Sequence, residues 1–197
     1  MKGVILSAGF GSRLGNITDK VPKPLVKVGE KAVIEYIIDY LRKSGIEEIA
    51  VNLHYLPLHI IKKLHGYPIK FFGEIKPLGT AGALKQMEKW LDNTFVVANG
   101  DTITNVSLAQ MVLIHTQSQS MLTIYTKDTL GHNGGVFIFS KPILNLIPKD
   151  KEFSIHEDLI PTLLKKDIKI SAYMQNDSYY FDVGTKEGLR KARLYFK

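Results

Sequence analysis

Short apolar runs alternate with amphipathic stretches along this chain, and their two periods predict strands and helices in turn. Lys2 to Ser7 is a compact apolar run ending in Ala8-Gly9-Phe10-Gly11; too short for a helix, it predicts a buried strand leaving into a glycine loop. Ala32 to Ser44 places Val33, Ile34, Ile37, Ile38 and Leu41 at helical spacing, and Gly45 follows as a stop. Glu47 to Leu53 repeats the strand pattern, Pro57 to Leu64 reads as helix, and Ile69 to Phe72 as a short strand. Thr80 to Leu91 carries Leu84, Met87, Trp90 and Leu91 on one helical face, and Phe95 to Ala98 is a fourth buried strand ending at Asn99-Gly100-Asp101. This rhythm predicts right-handed crossovers and a mostly parallel sheet covered on both faces, with ligands at the carboxyl ends of its strands.

After a helix at Ser107 to Thr116 the alternation changes. Met121 to Thr126 and Val136 to Phe139 read as strands separated by a Gly-rich turn, Pro142 to Ile147 and Ile155 to Lys165 as helices, Ile168 to Met174 and Tyr179 to Phe181 as extended, and Lys186 to Phe196 as a closing helix. With no repeat, low-complexity segment or linker, residues 1 to 197 read as a single α/β domain with a three-layer, Rossmann-like, mostly parallel sheet.

Composition narrows the class. At 45% hydrophobic and 23% charged, 197 residues can bury a substantial core, and wholesale disorder is excluded. No apolar run approaches the roughly 20 residues that cross a bilayer, and the run after Lys2 lacks a signal peptide's small-residue cleavage site, so a cytoplasmic protein is the simplest reading. The absence of cysteine rules out disulfides, thiolate zinc sites and cysteine nucleophiles. A net charge of +7 points to anionic partners, either nucleic acid or small phosphorylated ligands.

Two segments carry candidate chemistry. Gly9-Phe10-Gly11-Ser12-Arg13-Leu14 follows a strand, where backbone N–H groups can approach a polyphosphate unblocked by side chains. It fits neither the dinucleotide fingerprint, which needs a third Gly at Leu14, nor the ATPase loop, and an ordinary strand-to-helix turn explains it equally well. Lys23 lies between Pro22 and Pro24, which hold it in an extended segment; a proline-rich surface turn is the plain alternative. Together, a held Lys and a loop-borne Arg beside a glycine cradle suit the charges of phosphoryl transfer.

Leu6-Ser7-Ala8-Gly9-Phe10-Gly11-Ser12-Arg13-Leu14 with Thr18 and Pro22-Lys23-Pro24-Leu25 resembles the signature of the sugar-1-phosphate nucleotidyltransferases. Glu74 with Pro77-Leu78-Gly79-Thr80-Ala81-Gly82-Ala83-Leu84, Asn99-Gly100-Asp101, Asn133-Gly134-Gly135-Val136-Phe137, Asp158-Leu159-Ile160-Pro161 and Phe181-Asp182-Val183-Gly184-Thr185 follow in family order, so the resemblance spans essentially the whole chain. It implies the nucleotide-diphospho-sugar transferase fold and transfer of a nucleoside monophosphate from an NTP to a sugar-1-phosphate, with pyrophosphate expelled. On it, Leu6, Ala8, Gly9, Gly11, Ser12, Arg13, Lys23, Glu74, Gly79, Thr80 and Gly82 bind the nucleotide, with Arg13 on the β and γ phosphates and Lys23 on the α-phosphate and incoming sugar phosphate. Asp101 and Asp182 match the family's metal-binding aspartates; each closes a predicted strand, so both reach one cation at the sheet's carboxyl edge, and magnesium suits oxygen ligands and phosphates. Arg13, Lys23 and Asp101 are the implied catalytic groups.

Glu74 falls where the family reads the base. A carboxylate only accepts hydrogen bonds and guanine offers two adjacent donors, which favours GTP; a uridylyl-, thymidylyl- or cytidylyltransferase is the alternative, as is a plain surface Glu. Asn133, Gly135 and His156 fall on the sugar-phosphate side, His156 where many relatives carry a Glu. The segment between Thr123 and Asn133 is shorter than in typical members and lacks a recognisable Glu-Lys-Pro element, for which Lys127 is a weak substitute. Two rival classes fare worse. A nucleic-acid module would need an arginine-rich run or aromatic platform, and a nicotinamide-dependent enzyme an acidic residue after Leu53, where His54 stands. The sequence is silent on oligomeric state.

Overall fold

The computed structural model describes residues 1–129 and 131–197; of the predicted turn after Thr126, Leu130 lies outside them. The first half runs β1 (Lys2–Leu6), β2 (Lys27–Val28), β3 (Lys31–Ala32), α1 (Val33–Lys43), β4 (Ile49–Leu53), α2 (Pro57–Lys63), β5 (Ile69–Gly73), α3 (Gly79–Gln86) and β6 (Thr94–Asn99). The second half adds β7 (Thr102–Thr104), α4 (Leu108–Ser118), β8 (Leu122–Thr126), β9 (Asn133–Ser140), α5 (Ile160–Lys165), β10 (Ile170–Tyr173), β11 (Tyr180–Asp182) and α6 (Lys186–Tyr195). Seven strands form one sheet in the order β10-β8-β9-β6-β1-β4-β5. Only β9 runs antiparallel to its neighbours, so the mostly parallel sheet expected from the rhythm is present.

Because successive side chains point to opposite faces, strands buried on both sides must be apolar throughout. In β6, Val96 and Ala98 enter the core shared with Ile34, Ile38 and Leu41 of α1 and Leu189 of α6, while Phe95 and Val97 enter the opposite core with Leu84 of α3 and Leu163 of α5. Three layers result, with β6 as the central strand of the sheet and β1 beside it, between β6 and β4. Helix α1 ends as its sequence predicts. Gly45 takes φ 81°, and Ile46 N–H returns to the Leu41 carbonyl at 3.0 Å.

Several expectations are corrected. Helix α3 stops at Gln86 instead of Leu91, and the turn beyond it is held by two lysines: Lys2 Nζ donates to the Trp90 carbonyl at 2.8 Å and Lys141 Nζ to that of Leu91 at 2.7 Å. The predicted helix after Ser140 is a 3₁₀ turn, Lys141–Leu146. Ile155–Leu159 forms a widened π turn before α5. Pro161 has no N–H for the carbonyl four residues back and its ring would strike it; widening the turn relieves both. The two short ribbons, β2 with β3 and β7 with β11, have no counterpart in the sequence reading.

His115 on α4 is 4% exposed, with Nδ1 2.9 Å from Thr123 Oγ1 and Nε2 2.9 Å from Ser140 Oγ. Burial holds its pKa below the ordinary value, so folding favours the neutral ring. Its contribution to stability is complete above the unfolded-state pKa of about 6.5 and is lost as pH falls from there through the folded-state value. The unfolding midpoint should therefore drop as pH falls below about 6.5, and His115→Gln, whose amide can still bridge both hydroxyls, should flatten that drop. Identical pH profiles for the two proteins would contradict this.

Candidate active site

The carboxyl end of β1 opens into Ser7-Ala8-Gly9-Phe10-Gly11 between the ends of β4 and β6, so the glycine loop lies on the sheet's carboxyl edge beside the central strand. Gly11 takes φ 73°, and a Cβ there would lie 2.9 Å from Thr18 Cγ2 and 3.1 Å from Lys23 Cβ. Only glycine combines that backbone with that contact. Thr18 Oγ1 donates to the carbonyls of Gly11 and Gly15, both at 3.0 Å, tying the loop to the 3₁₀ segment Ser12–Ile17.

Lys23 opens a 3₁₀ turn, Lys23–Leu25, where its flanking prolines had suggested an extended segment; Leu25 N–H closes the turn onto the Pro22 carbonyl at 2.8 Å. The rigid hold on Lys23 is retained. Its Nζ lies 2.6 Å from Asp101 Oδ2, and both side chains are largely buried. Asp101 follows β6 through Gly100, whose N–H donates to the Leu6 carbonyl at 2.8 Å; a Cβ there would lie 2.5 Å from that same oxygen. Asp101 is thereby pressed against the end of β1.

Asp182 arrives by another route. Its strand, β11, belongs to the antiparallel ribbon with β7, with Asp182 paired to Thr102, so it reaches Asp101 through this side ribbon and not along the main sheet's edge. The two carboxylates converge. A Cβ on Gly184 would lie 2.5 Å from Asp101 Oδ2 and 2.9 Å from both Asp182 Oδ1 and Arg13 Nη2. Arg13 bridges them, with Nη2 3.7 Å from Asp101 Oδ2 and Nη1 3.5 Å from Asp182 Oδ2, while its side chain stays 61% exposed. Two cations and two carboxylates, drawn from four places in the chain, thus meet beside the glycine loop.

Behind them lies a cavity of about 350 Å³ lined by eight of the predicted residues, Leu6, Ala8, Gly9, Lys23, Glu74, Gly79, Thr80 and Asp101. A larger groove of about 630 Å³ lies between α1 and the Ile103 to Ala109 segment, with none of the predicted residues in its wall. Gly11, Ser12, Arg13 and Asp182 stand outside the cavity lining. Gly82 is a packing residue, since a Cβ there would lie 2.8 Å from the Lys151 carbonyl and its N–H donates to Phe153 at 3.1 Å. Glu74, expected to face the base or else to be a plain surface Glu, is buried, and both its oxygens are engaged: Oε1 accepts from Asn52 Nδ2 at 2.6 Å and Oε2 from Leu78 N–H at 3.0 Å. Thr80 Oγ1 accepts from Ile155 N–H at 2.8 Å.

The residues expected on the sugar-phosphate side, Asn133, Gly135 and His156, lie together. Asn133 Oδ1 accepts from Gly135 N–H at 2.8 Å, which turns its Nδ2 toward His156 Nε2, also at 2.8 Å, and so makes Nε2 the acceptor. Gly135, at φ 75°, lies against Thr102 next to Asp101. Lys127 Nζ sits 5.1 Å over the Tyr180 ring.

Sequence reasoning overlooked Phe10, Asn52, Pro77, Asn99 and Glu152, all in the cavity wall. A single amide in the otherwise apolar Ile49-Ala50-Val51-Asn52-Leu53 was the one available signal for Asn52.

The chain is 28% identical over 216 residues to the D-glycero-alpha-D-manno-heptose 1-phosphate guanylyltransferase of Campylobacter jejuni, covering 95% of this chain and 96% of that one. It is 29% identical over 226 residues to the protein of the same name from Aneurinibacillus thermoaerophilus, covering 98% and 97%. The crystal structure of HddC from Yersinia pseudotuberculosis complexed with GMP-PN superposes with a TM-score of 0.82 at 28% identity, over 100% of this chain and 99% of that one. Residues 2–133, more than half of the chain, match the Nucleotidyl transferase family, and the chain belongs to that family.

Proposed function

We infer that the protein transfers a nucleoside monophosphate, GMP by preference, from an NTP to a sugar-1-phosphate and releases pyrophosphate. The observation that carries this reading is the meeting of Arg13, Lys23, Asp101 and Asp182 at the mouth of a cavity behind a glycine loop. The relatives named above as heptose-1-phosphate guanylyltransferases, and the GMP-PN bound to HddC, support guanine and a phosphorylated sugar as its partners.

In this reading the triphosphate lies over Gly9 to Arg13. Exposed Arg13 can follow the β and γ phosphates, and Lys23, more closely confined, holds the α-phosphate against the incoming sugar phosphate. A sugar-phosphate oxygen bonds to the α-phosphorus as the bond to the β-bridging oxygen breaks, and that oxygen leaves with pyrophosphate. Asn133, Gly135 and His156 would flank the acceptor, with Asn133 and His156 already bonded to each other.

Asp101 and Asp182 would hold a magnesium ion. Two converging oxygen donors, with no group of three or more His, Cys, Asp or Glu placed to hold a metal among the described residues, fit a cation that takes its other ligands from phosphate and water. When bound, the metal supplies charge neutralisation at the reacting phosphates. Arg13 and Lys23 neutralise the two carboxylates without it.

A pyrophosphate-release screen of four NTPs against a panel of sugar-1-phosphates with magnesium tests the reading. The expected result is release with GTP and a hexose- or heptose-1-phosphate. No release with any pair would overturn the transferase reading, and a preference for UTP, dTTP or CTP would overturn only the guanine assignment.

A further inference from the structure

We propose that Asn52 and Glu74 form a positioning pair that ties the glycine loop to the opposite wall of the cavity, and that Glu74 governs base choice through the backbone it holds and not as a carboxylate placed on the base edge. The inference rests on reading that cavity as the nucleotide site.

Asn52 lies near the end of β4, in register with Leu6 on β1 and Phe72 on β5, and is 3% exposed. An amide buried there must find its partners within the protein. Its Oδ1 accepts from Ser7 N–H at 2.5 Å, and its Nδ2 donates to Glu74 Oε1 at 2.6 Å. Ser7 N–H can only donate and an ionised carboxylate only accept, so these neighbours fix which way the amide faces.

Glu74 continues the chain of bonds. Its own N–H is fixed to the Leu53 carbonyl at 2.8 Å, and Oε2 accepts from Leu78 N–H at 3.0 Å. The side chain is buried and has no ion pair among the described residues, so Asn52 and Leu78 N–H carry the solvation of its charge. Such a carboxylate stays where its donors hold it. The path therefore runs from the backbone leading into Ala8-Gly9 to the backbone leading into Gly79-Thr80, and both of those segments line the cavity. Breaking the middle of the path frees both walls at once.

The bond pattern permits a decisive exchange. In Glu74→Gln a single acceptor oxygen faces two donors, so one bond is lost whichever way the amide turns; in Asn52→Asp two carboxylates face each other. In the double variant the new carboxylate at position 52 accepts from Ser7 N–H and from the new amide at position 74, whose oxygen accepts from Leu78 N–H. Every bond is restored, with the charge moved to position 52.

The experiment measures kcat and KM for GTP and UTP, with thermal midpoints, for the wild type, both single variants and the double. Each single variant should lose about ten- to a hundredfold in kcat/KM for GTP and shift the GTP-to-UTP ratio, and the double should return to within about threefold of the wild type on both measures. A folded double variant as impaired as Glu74→Gln would show that the carboxylate is needed at position 74 itself, and the proposal would fail. Should the double variant not fold, Asn52→Ala decides, because it keeps Glu74 intact. The pair predicts at least about a tenfold rise in KM for GTP, a lower GTP-to-UTP ratio and kcat within about threefold; an unchanged KM and ratio would overturn it. If the wild type selects another nucleotide, the guanine assignment fails on its own, and the same proteins are scored on the nucleotide selected.

Discussion

Arg13→Ala should lower kcat/KM by about two to four orders of magnitude while leaving the fold intact, the scale expected when a preorganised charge is removed from a phosphoryl transition state. Its side chain is 61% exposed, and its two carboxylate contacts, at 3.5 and 3.7 Å, are long and solvent-screened, so the residue adds little to stability. Asp101 keeps Lys23 at 2.6 Å when Arg13 is gone. The loss should therefore appear in turnover and not in the unfolding midpoint. Arg13→Lys should recover only part of it, because an ammonium cannot present a planar fork to neighbouring phosphate oxygens. Near-normal turnover by a folded Arg13→Ala protein would remove the arginine from the reaction.

Asp101→Asn and Asp182→Asn should each abolish magnesium-dependent turnover, by about three orders of magnitude or more, and EDTA should do the same to the wild type. Their effects on stability should differ. Asp101→Asn leaves the largely buried Lys23 ammonium without its 2.6 Å carboxylate partner, at a cost of about 1–2 kcal/mol. Asp182 accepts from Gly184 N–H at 3.0 Å through Oδ1, a bond that asparagine can keep, and its ion pair with exposed Arg13 is weak. Asp182→Asn should therefore unfold at nearly the wild-type midpoint. Full activity of the wild type in EDTA would refute the metal assignment for both residues.

What could be read from the chain alone is local. The apolar run at Lys2 to Ser7, the helical spacing of Val33 to Leu41 and the stop at Gly45 are each determined within a few residues, because burial period and backbone preference act over one or two turns. The glycine loop, the confined Lys23 and the position of Asp101 after a strand were legible for the same reason. Only the tertiary structure decided how distant segments meet. Asp182 reaches Asp101 because β11 pairs with β7 across nearly eighty residues, a pairing that short extended segments do not announce. The sequence does not single out Asn52, and Glu74 reads there as a carboxylate facing the base, with a plain surface Glu as the alternative. Their hydrogen bonds join β1, β4 and the segment after β5. Such partners are set by strand order and register, and a buried amide or carboxylate takes its role from the donors and acceptors that the fold places around it.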